Sequence, residues 1–213
     1  IGNNLLIFPW IEELVRVNKS FIVRRGLSPR QVLESSQLLS EYIHYTITEK
    51  NQSIWLAQRE GRAKDANDRT QDSLLKMLNM YGKEDVASNL AKLNICPISI
   101  SYEYDPCDYL KAKEFQQKRD NPDFKKQAYD DLLNMQTGVM GYKGKVVYTM
   151  AGEISNEIQN LATENNNKNE LISKIAALID KSIHNNYVIY PINKIAYDLL
   201  NSGKQFEKEY SMM

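Results

Sequence analysis

Residues 54–64 read Ile54-Trp55-Leu56-Ala57-Gln58-Arg59-Glu60-Gly61-Arg62-Ala63-Lys64, an apolar run that ends abruptly in a charged glycine turn. The run has the composition of a buried strand. A strand that delivers guanidinium and ammonium groups into such a turn suits phosphate or carboxylate. Gly61 lets the backbone come close to a ligand, and arginine offers a planar donor fork. The spacing of Arg62 and Lys64 puts both on one side of an extended chain, where together they can clamp a phosphate dianion. Glu60 either orients those cations or pairs with Arg59. The competing reading is a solvated charged loop.

Outward from this stretch, three further segments read as strands: residues 20–24 (SFIVR), 96–104 (CPISISYEY) and 145–150 (KVVYTM). Helical periodicity fills the intervals. Ser28-Pro29-Arg30-Gln31 carries a serine N-cap, a proline at the first helical position and a glutamine at the third. It predicts a helix to about Thr48 that buries Val32, Leu39, Tyr42, Ile43 and Ile47. Asp105-Pro106-Cys107-Asp108 repeats that start signal. Helices are also expected over 72–80, 83–93, 124–135, 169–185 and 192–200, with a polar loop at 164–167. Strands alternating with helices predict an α/β fold, a mixed and partly parallel sheet covered by helices, in a single domain over residues 1–213 whose part from residue 106 onward is mostly helical. Ligands in such sheets sit where strands end.

The 213 residues are 42% hydrophobic and 25% charged, ordinary values for a globular chain. Lys plus Arg equals Asp plus Glu at 27 each, so no global positive field points to nucleic acid and any cationic site must be local. Cys96 and Cys107 are too few for a disulfide framework, which favours a reducing compartment, and neither has a second ligand at metal spacing. No apolar run reaches the length of a spanning helix, and no signal-peptide pattern opens the chain.

An apolar strand closing in Arg24-Arg25, a strand closing in Glu60-Gly61-Arg62-Ala63-Lys64 and a proline-led strand Pro97–Glu103 follow one another in this order. Together they resemble the second, third and fourth sequence blocks of the glycerol-3-phosphate and lysophosphatidic acid acyltransferases. The resemblance covers residues 3–105, about half the chain, and residues 4–13 (NLLIFPWIEE) are similar to the stretch between the family's first two blocks. It departs at Lys19, where the second block often has glycine, and at Lys64, which replaces the last arginine of the third. A one-residue shift would make Glu60 the acid of that block and leave Arg62 and Ala63 off its arginine positions. The alignment that keeps positive charge on both Arg62 and Lys64 is preferred.

The resemblance implies transfer of a fatty acyl group from an acyl-carrier-protein or CoA thioester, or an acyl phosphate, to the hydroxyl of glycerol 3-phosphate or a lysophospholipid, a step of phospholipid biosynthesis needing no dissociable cofactor or metal. It also implies that Arg62, Lys64 and one of Arg24 and Arg25 bind the acceptor phosphate, with Glu60, Gly61 and Pro97 supporting them. The family's His-x-x-x-x-Asp block, which supplies the base, is not in this sequence and is expected upstream of Ile1. These residues alone are therefore expected to be inactive. His44 and Glu49 have the block's spacing, yet a five-residue step on a helix separates them by roughly 140°. His184 is followed at that spacing by Ile189. Both histidines read as structural. A lipid product implies a cytoplasmic protein peripheral to the inner membrane face, with Phe8, Pro9 and Trp10 touching the bilayer or, alternatively, Trp10 buried under the sheet. Two other readings stand beside this one: a silent lipid- or phosphate-binding domain, and an acyltransferase with an amine or other lipid acceptor.

Overall fold

The computed structural model describes residues 6, 9–24, 26–59, 69–164 and 167–211. In chain order they form helices α1 (Pro9–Val17), α2 (Pro29–Thr48), α3 (Asp72–Leu78) and α4 (Val86–Ala91), strand β1 (Ile98–Tyr102), helices α5 (Asp108–Asp120) and α6 (Ala128–Met140), strand β2 (Val146–Met150), and helices α7 (Ser155–Thr163), α8 (Lys168–Asn185), α9 (Pro191–Leu200) and α10 (Glu207–Tyr210). The fold is mixed but mostly helical. Its elements fall into two compact units, the first from Ile1–Glu60, Thr70–Ile95 and Ile154–Ala176, the second from Gly61–Arg69, Cys96–Glu153 and Ala177–Met213.

The first unit is helix on helix. Leu75, Leu90, Ile158, Ile172 and Ile175 are fully buried, and each contributes on the order of 1.5–3 kcal/mol by leaving water. The spacing of Leu171, Ile172, Ile175 and Ala176 makes one apolar stripe on α8. α4 packs on α7, fixed by the Ser155 hydroxyl donating to the Ala91 carbonyl at 2.7 Å. α2 packs on α3 through polar groups. The Ser40 hydroxyl donates to the Leu78 carbonyl at 3.0 Å, His44 Nε2 reaches the same carbonyl at 2.8 Å, and the Tyr81 N–H donates back to Ser40 Oγ at 3.1 Å. Leu78 ends α3, so these two side chains satisfy a carbonyl that the helix itself leaves open.

In the second unit β1 and β2 pair antiparallel, Ile98 opposite Met150, Ile100 opposite Tyr148 and Tyr102 opposite Val146. The usual polarity of a strand is inverted here. Ser99 and Ser101 are buried, whereas Ile98 and Ile100 are half-buried. The reason lies in residues 186–190: the Ser99 hydroxyl donates to the Asn186 carbonyl at 2.8 Å, the Val188 N–H donates to Ser101 Oγ at 2.9 Å, and the Tyr190 hydroxyl donates to the Ser101 carbonyl at 3.3 Å. The serine face therefore grips the chain between α8 and α9. Elsewhere in the unit, buried Glu114 pairs with Lys118 at 2.8 Å and Lys126 at 3.3 Å, and buried Asp198 accepts from the Gln205 and Phe206 N–H groups and the Tyr210 hydroxyl. Both carboxylates are matched by donors, as burial demands.

Three expectations are corrected. The sheet in the described residues is a two-stranded antiparallel pair, not partly parallel. Of the four expected strands, 96–104 and 145–150 form, but 20–24 holds only a single bridge at Val23 and 53–58 holds no strand. Strand propensity needs a neighbouring strand to become a ladder, and Phe21 instead packs edge-on against Tyr42 of α2, while Trp55 and Leu56 stay exposed. The buried face of α2 is only partly the expected one: Ile43 is buried and Leu39 and Ile47 are half-buried, but Val32 and Tyr42 are exposed, and the polar Ser40, His44 and Thr46 are buried. The capping box that starts α2 is present, Gln31 Oε1 accepting from the Ser28 N–H at 3.0 Å.

Candidate functional site

Of the residues expected to hold a phosphate, Arg24 is described and exposed. It stands two positions before Gly26, whose φ of +74° turns the chain toward the start of α2 with open space around it. A side chain there would be strained. Arg25, Glu60, Gly61, Arg62 and Lys64 lie outside the described residues. The residues that flank this stretch are described. The Gln71 N–H donates to the Gln58 carbonyl at 3.0 Å, so the chain entering the turn and the chain leaving it are tied by a backbone hydrogen bond within the first unit.

Pro97 belongs to the second unit and is buried. Its carbonyl accepts from the Ala151 N–H at 2.8 Å, extending the β1–β2 pairing by one rung. That contact is a framework role, and it agrees with reading 97–102 as a core strand. Beyond the other end of β1, the Glu103 N–H donates to the Lys145 carbonyl and Glu103 Oε2 accepts from the Lys145 N–H at 2.8 Å. Gly144, at φ +59°, leaves room for that carboxylate, since a Cβ there would come within 2.5 Å of it. Lys143 donates to the carbonyls of Val139 and Gly141, closing the C-terminus of α6. The Lys143 ammonium is thus engaged in the turn, and Lys145 takes part in it through its backbone.

His44 is buried, and a carbonyl partner only accepts, so its Nε2 carries the proton. Its ring lies 5.4 Å from that of Tyr81. Such an imidazole holds two helices together and offers no lone pair to solvent at Nε2. Glu49 is exposed beyond the end of α2. His184 is exposed and stacks on Tyr187. Among the described residues no group of three or more His, Cys, Asp or Glu can hold a metal ion.

α1 carries an apolar stripe that extends beyond Pro9 and Trp10. Trp10, Leu14 and Val17, at i, i+4 and i+7, are 60%, 55% and 79% exposed, while Val15 on another side is buried. The alternative of a buried Trp10 is therefore wrong, and Phe8 lies outside the described residues. The signal for the whole stripe was present in the helical spacing of those three residues. No helix among the described residues is long and apolar enough to cross a membrane.

Two local electrostatic effects stand out. The Ser88 hydroxyl and N–H beside Asp85 hold its carboxyl below the usual aspartate value, with the Ala87 N–H assisting. Partial desolvation, reinforced by the neighbouring Tyr148 hydroxyl, pushes the Tyr102 phenol up although the residue stays exposed. The first is an N-cap, Asp85 accepting from Ala87 N–H at 3.0 Å and Ser88 N–H at 3.1 Å. Comparison with protein-family models, with curated proteins and with solved structures gives no match.

Proposed function

We propose that this chain forms the acceptor-binding part of an acyltransferase, which moves a fatty acyl group from an acyl thioester or acyl phosphate to the hydroxyl of glycerol 3-phosphate or a lysophospholipid. The observation that carries the reading is the order of three segments in one sequence: Arg24-Arg25, the Glu60-Gly61-Arg62-Ala63-Lys64 turn, and the proline-led strand from Pro97. In this reading Arg62 and Lys64 are the ligands of the acceptor phosphate, as the resemblance implies.

The chemistry divides cleanly. Attack of the acceptor hydroxyl on the acyl carbonyl requires a general base, worth on the order of 10²- to 10⁴-fold. These 213 residues contain no His-x-x-x-x-Asp, and His44 is committed to Leu78. They hold the acceptor without turning it over. Placement at the inner face of a membrane follows from the lipid product, and the exposed Trp10-Leu14-Val17 stripe is the surface that would rest on it.

The missing base equally favours a second reading, a phosphate- or lipid-binding domain without catalysis. A third, with an amine or other lipid as acceptor, dispenses with the phosphate. Titration with glycerol 3-phosphate, alone and against Arg62→Ala, tests the acceptor site. Acyl transfer by a form that carries a His-x-x-x-x-Asp block separates the enzyme from the silent domain.

A further inference from the structure

We draw no further inference here: the strongest candidate, the apolar face of the β1–β2 hairpin where Tyr102, Tyr148 and Met150 are exposed, has nothing in the structure to show what covers it.

Discussion

Removing the two side chains that converge on the Leu78 carbonyl should destabilise the first unit by more than the two single losses combined. Ser40 is fully buried, and Ser40→Ala deletes one of two donors to that carbonyl while leaving the Tyr81 N–H without its acceptor. One lost hydrogen bond and one stranded donor come to about 2 kcal/mol. His44→Phe keeps an aromatic ring and removes the Nε2 donor to the carbonyl, along with Nδ1, at about 1 kcal/mol. In each single variant the carbonyl retains one partner. In the double variant it has neither, and an unsatisfied buried acceptor adds about 1–2 kcal/mol. Urea unfolding followed by circular dichroism on all four proteins gives the coupling energy. The expected total is about 4–5 kcal/mol, against roughly 3 if the losses simply add. Additivity would mean that the two donors do not share the carbonyl. Unchanged stability in His44→Phe, together with lost ligand binding, would mean that His44 belongs to a functional site.

Gly82→Ala should cost about 2–5 kcal/mol, because a Cβ would lie 1.9–2.1 Å from the buried Asn89 amide, which donates to Asn79 Oδ1 and the Glu84 carbonyl; Gly152→Ala, with nothing within 4 Å, is the control, and equal melting temperatures for the two would refute the packing argument. Asp85→Ala should cost about 0.5–1 kcal/mol at neutral pH. Since the folded-state carboxyl is held below its ordinary value, the stabilisation is complete above the ordinary aspartate pKa of about 3.9 and fades as pH falls through the lower folded value, so the variant and the parent should converge in acid; a gap that persists there would assign the loss to something other than the carboxylate. Trp10 fluorescence, read with Trp55 replaced by Phe, should shift to the blue on adding anionic vesicles, and an unchanged spectrum in a protein that binds the vesicles would move the membrane face away from α1.

The helices were the most legible part of the sequence, and the reason is local. Ser28, Pro29 and Gln31 announce α2 within four residues, and α2 runs to Thr48 as its periodicity indicates. α8 and α9 begin within one residue of their expected starts. α1, α7 and α10 were not anticipated. α1 could have been, since Pro9 sits at its first position and Glu12 pairs with Arg16 one turn on at 2.6 Å. The strands were legible only where two of them found each other. Residues 20–24 and 53–58 have the same β-rich composition as 145–150, but composition does not specify a partner. Ser40 and His44 escaped for a related reason: an apolar pattern cannot reveal that the centre of a buried helix face is polar and spent on a neighbouring helix end. Within the candidate site, the phosphate-type signature was legible as residue types and spacing, whereas the framework role of Pro97 needed its carbonyl contact to Ala151.

The most direct test of the central claim is calorimetric titration of the chain with glycerol 3-phosphate and, in parallel, with glycerol. The account predicts saturable binding of the phosphorylated ligand alone, weakened roughly 10- to 150-fold in Arg62→Ala, the value of a hydrogen bond between charged groups. Absence of binding, equal binding of glycerol, or an Arg62→Ala variant that binds as the parent does would contradict it.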